Sequence, residues 1–274
     1  MENKSDSARL VSYYEMPPPP HLAHLVFCFF ELAFSESKAP TIYNVLPDGC
    51  MGILIKFNRN SPSPPIVLVR GLESEIFEAK VECGDKYWGV RLFPAANRLV
   101  LGADPGKIAT SPLVHLPQLN ALRSFLETKL GAISERKDAF KLLSDFFESL
   151  EINPDDADRQ VTSAITALMK AGGNLSTDDL LSGIPTARRT LERRFRKNVG
   201  LGIKQYSRLY RLRATGLSLI SDIELSWADR AAMMGFSDQS HLIREFALIT
   251  NRTPTELAAE IGIHDFGDLE TPKD

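Results

Sequence analysis

Two short stretches of this sequence carry hydrogen-bonding side chains of the kind that recognise nucleic acid. Residues 188–196 read RRTLERRFR, and residues 239–244 read QSHLIR. Arginine can donate two hydrogen bonds to guanine O6 and N7, glutamine can pair in a similar way with adenine, and glutamate can accept from cytosine N4. If each stretch forms a helix that lies in a major groove, these residue types can read base edges.

The downstream stretch belongs to a predicted pair of short helices over residues 226–254. Ser226 is a natural N-cap for the first helix, Gly235 favours the left-handed conformation that ends it, and Ser237 can cap the second helix. The second helix would bury a single apolar stripe, formed by Leu242, Phe246 and Ile249. Two short helices joined by a glycine turn are typical of a helix-turn-helix unit.

A second copy of this pattern lies upstream and strengthens the interpretation. The aligned pairs are Leu191 with Leu242, Phe195 with Phe246, and Gly200 with Asn251. Glycine and asparagine both accept the left-handed conformation at a helix C-terminus. The two units would be joined by a helix over residues 203–220, about 25 Å long at 1.5 Å per residue. Such a spacer lets two reading helices enter successive major grooves, about 34 Å apart on one face of the duplex.

Residues 159–261 resemble the DNA-binding domain of AraC/XylS-type bacterial transcription regulators. The matching segments are residues 188–214 and 228–257, and in the second the sequences Gly-Phe-Ser-Asp-Gln-Ser, Arg-Glu-Phe and Thr-Pro stand at the family's spacing. Two further segments, LPDGC (46–50) and GVRLFPAANRLVLG (89–102), are similar to the sensor-like N-terminal domain of one branch of these regulators. The resemblance implies a transcription regulator and implies no particular ligand.

The resemblance also assigns roles to individual residues. The expected base-reading positions are Arg189, Glu192, Arg193, Gln239, Ser240, His241 and Arg244. For His241 the alternative is a surface histidine without a role. Cations beside the reading helices are expected to bind phosphate, which positions a protein on DNA without specifying sequence. These phosphate candidates are Arg188, Arg194, Lys197, Lys204 and Arg208.

Charge is distributed unevenly along the chain. The whole sequence has a net charge of −3, but residues 159–252 contain 15 Lys and Arg against 8 Asp and Glu. Within residues 186–213, ten residues are basic and only Glu192 is acidic. A concentrated basic segment in an acidic protein is typical of phosphate-backbone binding, in which counterion release supplies much of the affinity. The alternative is a solvated helix face with unpaired arginines.

The sequence as a whole predicts an α+β protein, with a β-rich N-terminal half and an all-α C-terminal domain whose two helix-turn-helix motifs are joined by a long helix. Residues 1–20, which end in four prolines, are expected to be an extended lead-in without structure of its own. Apolar alternation over residues 21–94 predicts a small antiparallel barrel or sandwich of the cupin-like kind, in which residues 77–83 and 87–93 pair across a turn. Helical periodicity follows over residues 95–102, 119–130 and 139–150.

The polar segment at residues 153–156 predicts a domain boundary. We expect a β-rich sensor or dimerisation domain over residues 1–152, a DNA-binding domain over residues 155–262 and an acidic tail over residues 263–274. The helices within residues 118–150 resemble the pair that carries subunit contacts in the family and would support a homodimer; alternatively, they cover the open side of the β domain. Expected partners are promoter DNA, a small-molecule effector and, for an activator, RNA polymerase.

Several other classes of protein are disfavoured. The sequence contains no run of eighteen or more apolar residues, and its start lacks an apolar signal core, so we expect a cytoplasmic protein without a membrane partner. Cys28, Cys50 and Cys83 are too few and too scattered for a disulfide framework or a zinc site. His21 and His24 form an isolated HxxH, whereas metal-binding cupins need further converging ligands.

We therefore expect a sequence-specific transcription regulator without enzymatic activity or a cofactor. One alternative is a cupin-type enzyme with a DNA-binding appendage, which bound metal would reveal. Another is an interaction module whose basic helix binds an acidic protein, which competition by unrelated duplex DNA would distinguish.

Overall fold

The structure, a computed structural model, describes residues 10–34, 41–58, 60, 65–108, 110–112, 120–129, 133, 135–221 and 225–256. The strands are β1 (Leu10–Met16), β2 (Val26–Phe34), β3 (Thr41–Val45), β4 (Gly52–Asn58), β5 (Ile66–Arg70), β6 (Phe77–Val81), β7 (Asp85–Leu92) and β8 (Ser111–Pro112). The helices are α1 (Asn97–Leu101), α2 (Asn120–Lys129), α3 (Arg136–Ser149), α4 (Arg159–Lys170), α5 (Thr177–Ser182), α6 (Arg188–Val199), α7 (Ile203–Ser221), α8 (Trp227–Met233) and α9 (Gln239–Thr250). The predicted α+β fold class is confirmed, and the predicted acidic tail lies outside the described residues.

Two antiparallel sheets build the N-terminal half. The larger has the strand order β1-β2-β7-β4-β5-β8, and β3 pairs with β6 in the smaller sheet. Phe29, Val90 and Ile53 stand opposite one another on the three central strands, and all three are fully buried. Because cross-strand neighbours share a face of the sheet, this row marks the face that meets the core.

The predicted pairing of residues 77–83 with 87–93 was wrong. Strand β6 pairs with β3, whereas β7 pairs with β2 and β4, so the two strands that flank Gly84 lie in different sheets. Glu78 and Lys80 alternate outward on β6, which suits a strand with one solvated face. Trp88 and Val90 of β7 are buried, which suits a central strand with a neighbour on either side.

The prediction that residues 1–20 lack structure was also wrong in part. Residues 10–16 form β1, which pairs with β2 in a register that sets Tyr13 opposite Leu32 and Met16 opposite Phe29. The four prolines suggested an extended segment without regular structure. The preceding residues LVSYYEM contain aromatic and β-branched side chains, which favour a strand. Pro20 then begins a short 3-10 helix over Pro20–Leu22.

Helix α3 covers the apolar face of the larger sheet. Its side chains join the same core as Phe29, Ile53 and Val90. The buried members are Ala139, Phe140, Leu142, Leu143, Phe146 and Phe147. Since the apolar side of α3 is used within its own half, the structure supports the alternative that this helical region covers the β domain.

The C-terminal helices agree with the predicted segments. Helix α4 spans the predicted residues, and α7 runs for 19 residues between the two motifs. Their shared core is formed by α4, α5, α6, α7 and α9. Its fully buried members include Val161, Ile165, Leu168, Leu191, Phe195 and Tyr206. This core fixes α6 and α9 on one scaffold.

The two halves touch along an extensive seam. Ala95 is buried in the core of the C-terminal helices, and Leu46, Leu72 and Phe93 pack against it from the β-rich half. At the predicted domain boundary, Asn153 caps a short 3-10 helix over Pro154–Asp156. Leu72 and Phe93 also pack against the core of the larger sheet, so the cores of the two halves share neighbours at this seam.

Candidate nucleic-acid interface

The downstream helix-turn-helix unit consists of α8 and α9. Ser226 caps α8 as predicted, because its Oγ accepts a hydrogen bond from the Asp229 backbone N–H at 3.1 Å. The predicted Ser237 cap was wrong: Asp238 caps α9, and its carboxylate accepts from the His241 backbone N–H at 2.7 Å. A carboxylate at this position also interacts favourably with the helix dipole, which a hydroxyl does not.

The upstream unit, α5 and α6, repeats the downstream one. Helices α6 and α9 are both 12 residues long. Each ends at a residue in the left-handed conformation, with φ of 94° at Gly200 and 55° at Asn251. Gly235, in the downstream turn, has a φ of 70°. The duplication expected from the aligned residues is therefore present in the backbone.

Helices α6 and α9 both turn their apolar stripes inward. Leu191, Phe195 and Val199 of α6 have no exposed surface. The downstream stripe is also buried and consists of Leu242, Phe246 and Ile249. Phe246 and Ile249 enter the same core as Phe195 and Val199. The predicted stripes are confirmed, and the polar faces of α6 and α9 both point away from that core.

The candidate base-reading side chains of α6 differ in whether they already have a hydrogen-bond or ion-pair partner. Arg189 and Arg193 are exposed and form no hydrogen bond or ion pair with the rest of the described chain. Glu192 accepts from Arg188 Nε at 3.2 Å, and Arg188 Nη1 also lies 3.6 Å from a carboxylate oxygen of Asp178. Arg189 and Arg193 are thus the α6 candidates whose donors are open to an external acceptor.

On α9, the exposed candidates are Gln239, Ser240 and Arg244. His241 is half-buried: its Nδ1 lies 3.2 Å from Ser237 Oγ, and its ring meets Phe236 edge-on with centroids 5.4 Å apart. Part of the His241 ring therefore supports the turn. Arg193 and Arg244 occupy the same position in the two copies, five residues after the first residue of each helix.

Two phosphate candidates also have structural partners. Arg194 Nη1 donates to Gln160 Oε1 at 2.8 Å and so ties α6 to α4. Arg208 Nε donates to Glu245 Oε2 at 2.8 Å and so ties α7 to α9. The exposed candidates without a hydrogen bond or ion pair in the described part of the chain are Lys197 and Lys204.

Helix α6 stands as a ridge between two concave surfaces. On the α4 side the lining is mixed in charge and includes Asp156 and Asp158. On the other side, a surface that we call the basic groove lies between α6, the start of α7 and two residues of the β-rich half. Its lining includes eight cations, Arg98, Arg188, Arg189, Arg193, Arg196, Lys197, Lys204 and Arg208, and two carboxylates, Asp104 and Glu192.

The sequence interpretation missed Arg98 and Asp104 as groove residues. Both belong to the β-rich half, about ninety positions before α6 in the sequence, and nothing in their local pattern indicates the contact. Only the packing of α1 against α6 brings them to the basic groove. The charge of Arg98 was a weak indication of a DNA-facing position, because the residue lies in an apolar segment.

The comparison with protein families agrees with this geometry. Residues 184–260 match the family described as helix-turn-helix domain, a range that contains both reading helices. This matched range is an AraC-type helix-turn-helix domain. Residues 14–112 match a domain of unknown function, DUF6597. No curated protein matches the sequence.

Solved structures of ToxT from Vibrio cholerae are similar to this chain. One, solved at 1.65 Å resolution, is 15% identical with a TM-score of 0.45, and the match covers 84% of this chain and 97% of that chain. Another, ToxT from strain O395 bound to (E)-4-(8-methylnaphthalen-1-yl)but-3-enoic acid, is 16% identical with a TM-score of 0.46, and the match covers 93% of this chain and 99% of that chain. Likeness at this level identifies no shared site.

The AraC-type domain is connected to the β-rich half by a partly buried chain of ion pairs. Arg213 of α7 donates to both carboxylate oxygens of Glu15, at 2.8 and 2.9 Å. Glu15 also accepts from Arg91 Nη1 at 2.7 Å. Arg91 Nε and Arg70 Nη1 each donate to Asp48 Oδ2 at 2.7 Å. We call these five residues the junction network.

The carboxylates of the junction network are ionised at neutral pH. Burial opposes the ionisation of Asp48, but Arg70 and Arg91 outweigh it and hold the pKa of Asp48 well below its usual value. Burial likewise opposes ionisation of Glu15, and Arg91 and Arg213 lower its pKa. Three guanidinium groups therefore face two carboxylates, so the network carries one unbalanced positive charge.

An apolar cavity of about 330 Å³ lies between the two sheets, beside the junction network. Its apolar walls include Phe30, Leu32, Phe34, Tyr43, Leu54 and Phe77. Arg70 and Arg91 reach its wall, and Arg70 Nε is buried without a hydrogen-bond partner in the described part of the chain. The cavity therefore combines apolar surface with an unsatisfied cationic donor.

The remaining chemical candidates have structural partners. His21 Nε2 lies 2.9 Å from Glu148 Oε1, and His24 Nε2 lies 3.2 Å from Ile152 O. Among the residues described, no group of three or more His, Cys, Asp or Glu could hold a metal ion. No helix in that part of the chain has the length and apolar character to cross a membrane. The three cysteines are free thiols.

Proposed function

We propose that this protein is a sequence-specific transcription regulator that binds promoter DNA through α6 and α9 in two successive major grooves. The base-reading residues are Arg189, Glu192, Arg193, Gln239, Ser240, His241 and Arg244. The phosphate-binding residues are Arg188, Arg194, Lys197, Lys204 and Arg208. Residues 1–152 act as the sensor domain, and residues 155–262 act as the DNA-binding domain.

One observation carries this proposal. Two 12-residue helices bury their apolar stripes in a common scaffold and present an exposed arginine at the same position, Arg193 in α6 and Arg244 in α9. A solvated helix face does not require two copies of this arrangement. A protein that reads two similar sites along one duplex does, because each groove then meets an equivalent donor.

Selection of bound sequences from a random duplex pool tests the proposal. With the full-length protein, we expect an enriched site with two conserved blocks separated by about one helical turn, 10–10.5 base pairs. A single enriched block would restrict base reading to one motif. Absence of enrichment together with salt-insensitive binding would contradict DNA recognition altogether.

We also propose that the cavity between the sheets binds a small-molecule effector with an apolar body and one anionic group. Buried charges are costly unless paired, and the unbalanced charge of the junction network and the free Arg70 Nε both favour an anion there. Since Arg91 contacts both the cavity and Glu15, which holds Arg213, an anion bound at this wall would alter the connection to the AraC-type domain.

Thermal-shift screening of amphiphilic acids against their matched alcohols tests the effector proposal. An acid that binds should raise the melting temperature more than the alcohol of the same carbon skeleton, and Arg70→Met should abolish that difference. Equal shifts in melting temperature for acid and alcohol would contradict a site for an anion.

Dimer formation through residues 118–150 and contact with RNA polymerase stay predictions.

A further inference from the structure

The basic groove contains a cation that does not belong to the AraC-type domain. Arg98, on α1 of the β-rich half, lines the groove together with Arg193, Arg196 and Lys204. Its side chain is half-exposed and forms no hydrogen bond or ion pair with the described part of the chain. A guanidinium group beside seven other cations is repelled by them unless an anion lies between them.

The position of Arg98 relative to α6 is fixed by buried contacts. The neighbouring Asn97 is fully buried, and its Nδ2 donates to Val199 O at 3.1 Å. That carbonyl belongs to the last turn of α6, where no intrahelical donor is available. A few residues on, Gly106 approaches the end of α6 so closely that a Cβ on it would lie 3.2 Å from Gly200 O. Arg98 is therefore held at a constant place beside the reading helix.

The acidic residues of the groove do not neutralise it. Asp104 accepts from the Gly106 backbone N–H at 3.1 Å and lies 3.9 Å from Lys107 Nζ. Glu192 is paired with Arg188. The positive charge follows the length of α6 and continues onto the start of α7, so it matches an extended polyanion better than a single small anion.

We propose that the β-rich half takes part directly in DNA binding, with Arg98 contacting the phosphate strand that borders the major groove entered by α6. A helix that lies in the major groove is flanked by the two phosphate backbones, so residues beside the ridge meet phosphate. This inference rests on the proposed function and extends the interface across the domain boundary. Arg98 would add affinity without adding sequence information.

Salt titration of duplex binding by the full-length protein tests this contact. Each phosphate contact contributes about −0.9 to the slope of log K against log salt, so Arg98→Ala should make the slope less negative by about 0.9. At 0.1 M salt this corresponds to about an eightfold loss of affinity. The loss should be equal on the selected site and on unrelated duplex.

Three further variants distinguish an effect of charge on DNA binding from an effect on protein stability. Arg98→Lys should keep the slope of the wild-type protein, because the cation remains. Asp104→Asn should raise affinity on every duplex, because it removes a carboxylate from the groove. Lys137→Ala, which deletes an exposed cation on α3 of the same half, should leave both slope and affinity unchanged. Circular dichroism melting should give the same midpoint for Arg98→Ala and Arg98→Lys.

The outcomes distinguish this inference from the function on which it rests. If Arg98→Ala and Lys137→Ala bind DNA with the same slope as the wild-type protein, the inference is overturned while the regulator proposal stands. If Arg98→Ala weakens binding to the selected site alone, Arg98 reads bases and the phosphate assignment is overturned. If the wild-type protein binds no duplex, both proposals are overturned together.

Discussion

At the scale of residues, the proposed interface depends on which arginines are free and which are already bound. Arg193 has no partner in the described part of the chain, whereas Arg194, its neighbour, donates to Gln160. An unpaired guanidinium group can give both donors to guanine, but a bound one must first break an existing hydrogen bond. Adjacent arginines in one helix therefore differ in how readily they can donate to an external acceptor.

Arg193→Ala should weaken binding to the selected site and relax its sequence at one position. The expected cost is about 1–3 kcal/mol, the usual value of a good bidentate contact to a base. Selection from a random pool with the variant measures both effects. Lys197→Ala is the matched control, since loss of a phosphate contact weakens binding to all sequences equally. A uniform loss for Arg193→Ala would reassign Arg193 to phosphate.

The carboxylates of the junction network should make stability depend on pH. The folded-state pKa values of Asp48 and Glu15 are lowered, so their contribution is present above the unfolded values, about 3.9 and 4.3, and is lost as pH falls below them. Chemical denaturation between pH 7 and pH 3 should therefore show a decreasing free energy of unfolding.

Asp48→Asn tests the source of that dependence. At pH 7 it should cost about 3–5 kcal/mol, because Arg70 and Arg91 lose a buried counter-ion. The remaining pH dependence should be shallower than in the wild-type protein. Asp145→Asn, which alters an exposed pair with Lys141, is the control and should keep the wild-type slope. Parallel pH curves for Asp48→Asn and the wild-type protein would contradict this account.

At the scale of elements, the end of α6 is where the reading helix meets the β-rich half. Gly200 takes the left-handed conformation that the helix terminus requires, and it also lies against Gly106 and Leu72. The sequence repeat predicts only the first of these roles. Asn251, at the equivalent place after α9, has the same backbone conformation. The two copies are alike in backbone but differ in what their ends touch.

Gly200→Ala should destabilise the protein more than Gly102→Ala. Both glycines have positive φ, so alanine is strained at either place. A Cβ at Gly200 would lie 2.9 Å from Gly106 N and would also meet Leu72, whereas at Gly102 it would meet nothing within 4 Å. The difference in unfolding free energy should be about 1–3 kcal/mol, the cost of overpacking. Equal losses of unfolding free energy in the two variants would mean that Gly106 and Leu72 move aside without cost, which would contradict this prediction.

Across the whole molecule, the AraC-type domain and the β-rich half are joined by apolar packing and by the junction network. Leu72 and Phe93 pack against the cores of both halves, and Ala95 joins the core of the C-terminal helices. The junction network spans the two halves through Arg213 and Glu15. A signal in the β-rich half therefore has a physical route to α7, the helix that separates the two reading helices.

Arg213→Met should separate the two halves energetically. Wild-type protein should unfold in a single calorimetric transition, because each half buries surface on the other. The variant loses the partly buried ion pair with Glu15, which joins the two halves, and should unfold in two steps. Arg159→Met, at an exposed pair with Asp155, is the control. A single, unshifted transition in both variants would contradict the coupling.

The amino-acid sequence was sufficient to predict the elements whose signals are local. The apolar stripes of α6 and α9, the Ser226 cap and the left-handed residues at Gly200 and Asn251 follow from side-chain periodicity and backbone preference within a few residues. Charge counting likewise located the basic segment. These signals were sufficient for the C-terminal fold and for its AraC-type family, because a helix-turn-helix unit is stabilised mainly by short-range contacts.

The partners of distant segments became evident only from the folded chain. Strand β6 pairs with β3 instead of β7, since pairing depends on which faces must be buried once the sheets assemble. Arg98 reaches the basic groove and Arg213 reaches Glu15 across long separations in sequence, through contacts that no local pattern encodes. Burial and pairing of charge are properties of the assembled molecule, and for that reason the junction network and the extended interface were found only in the folded chain.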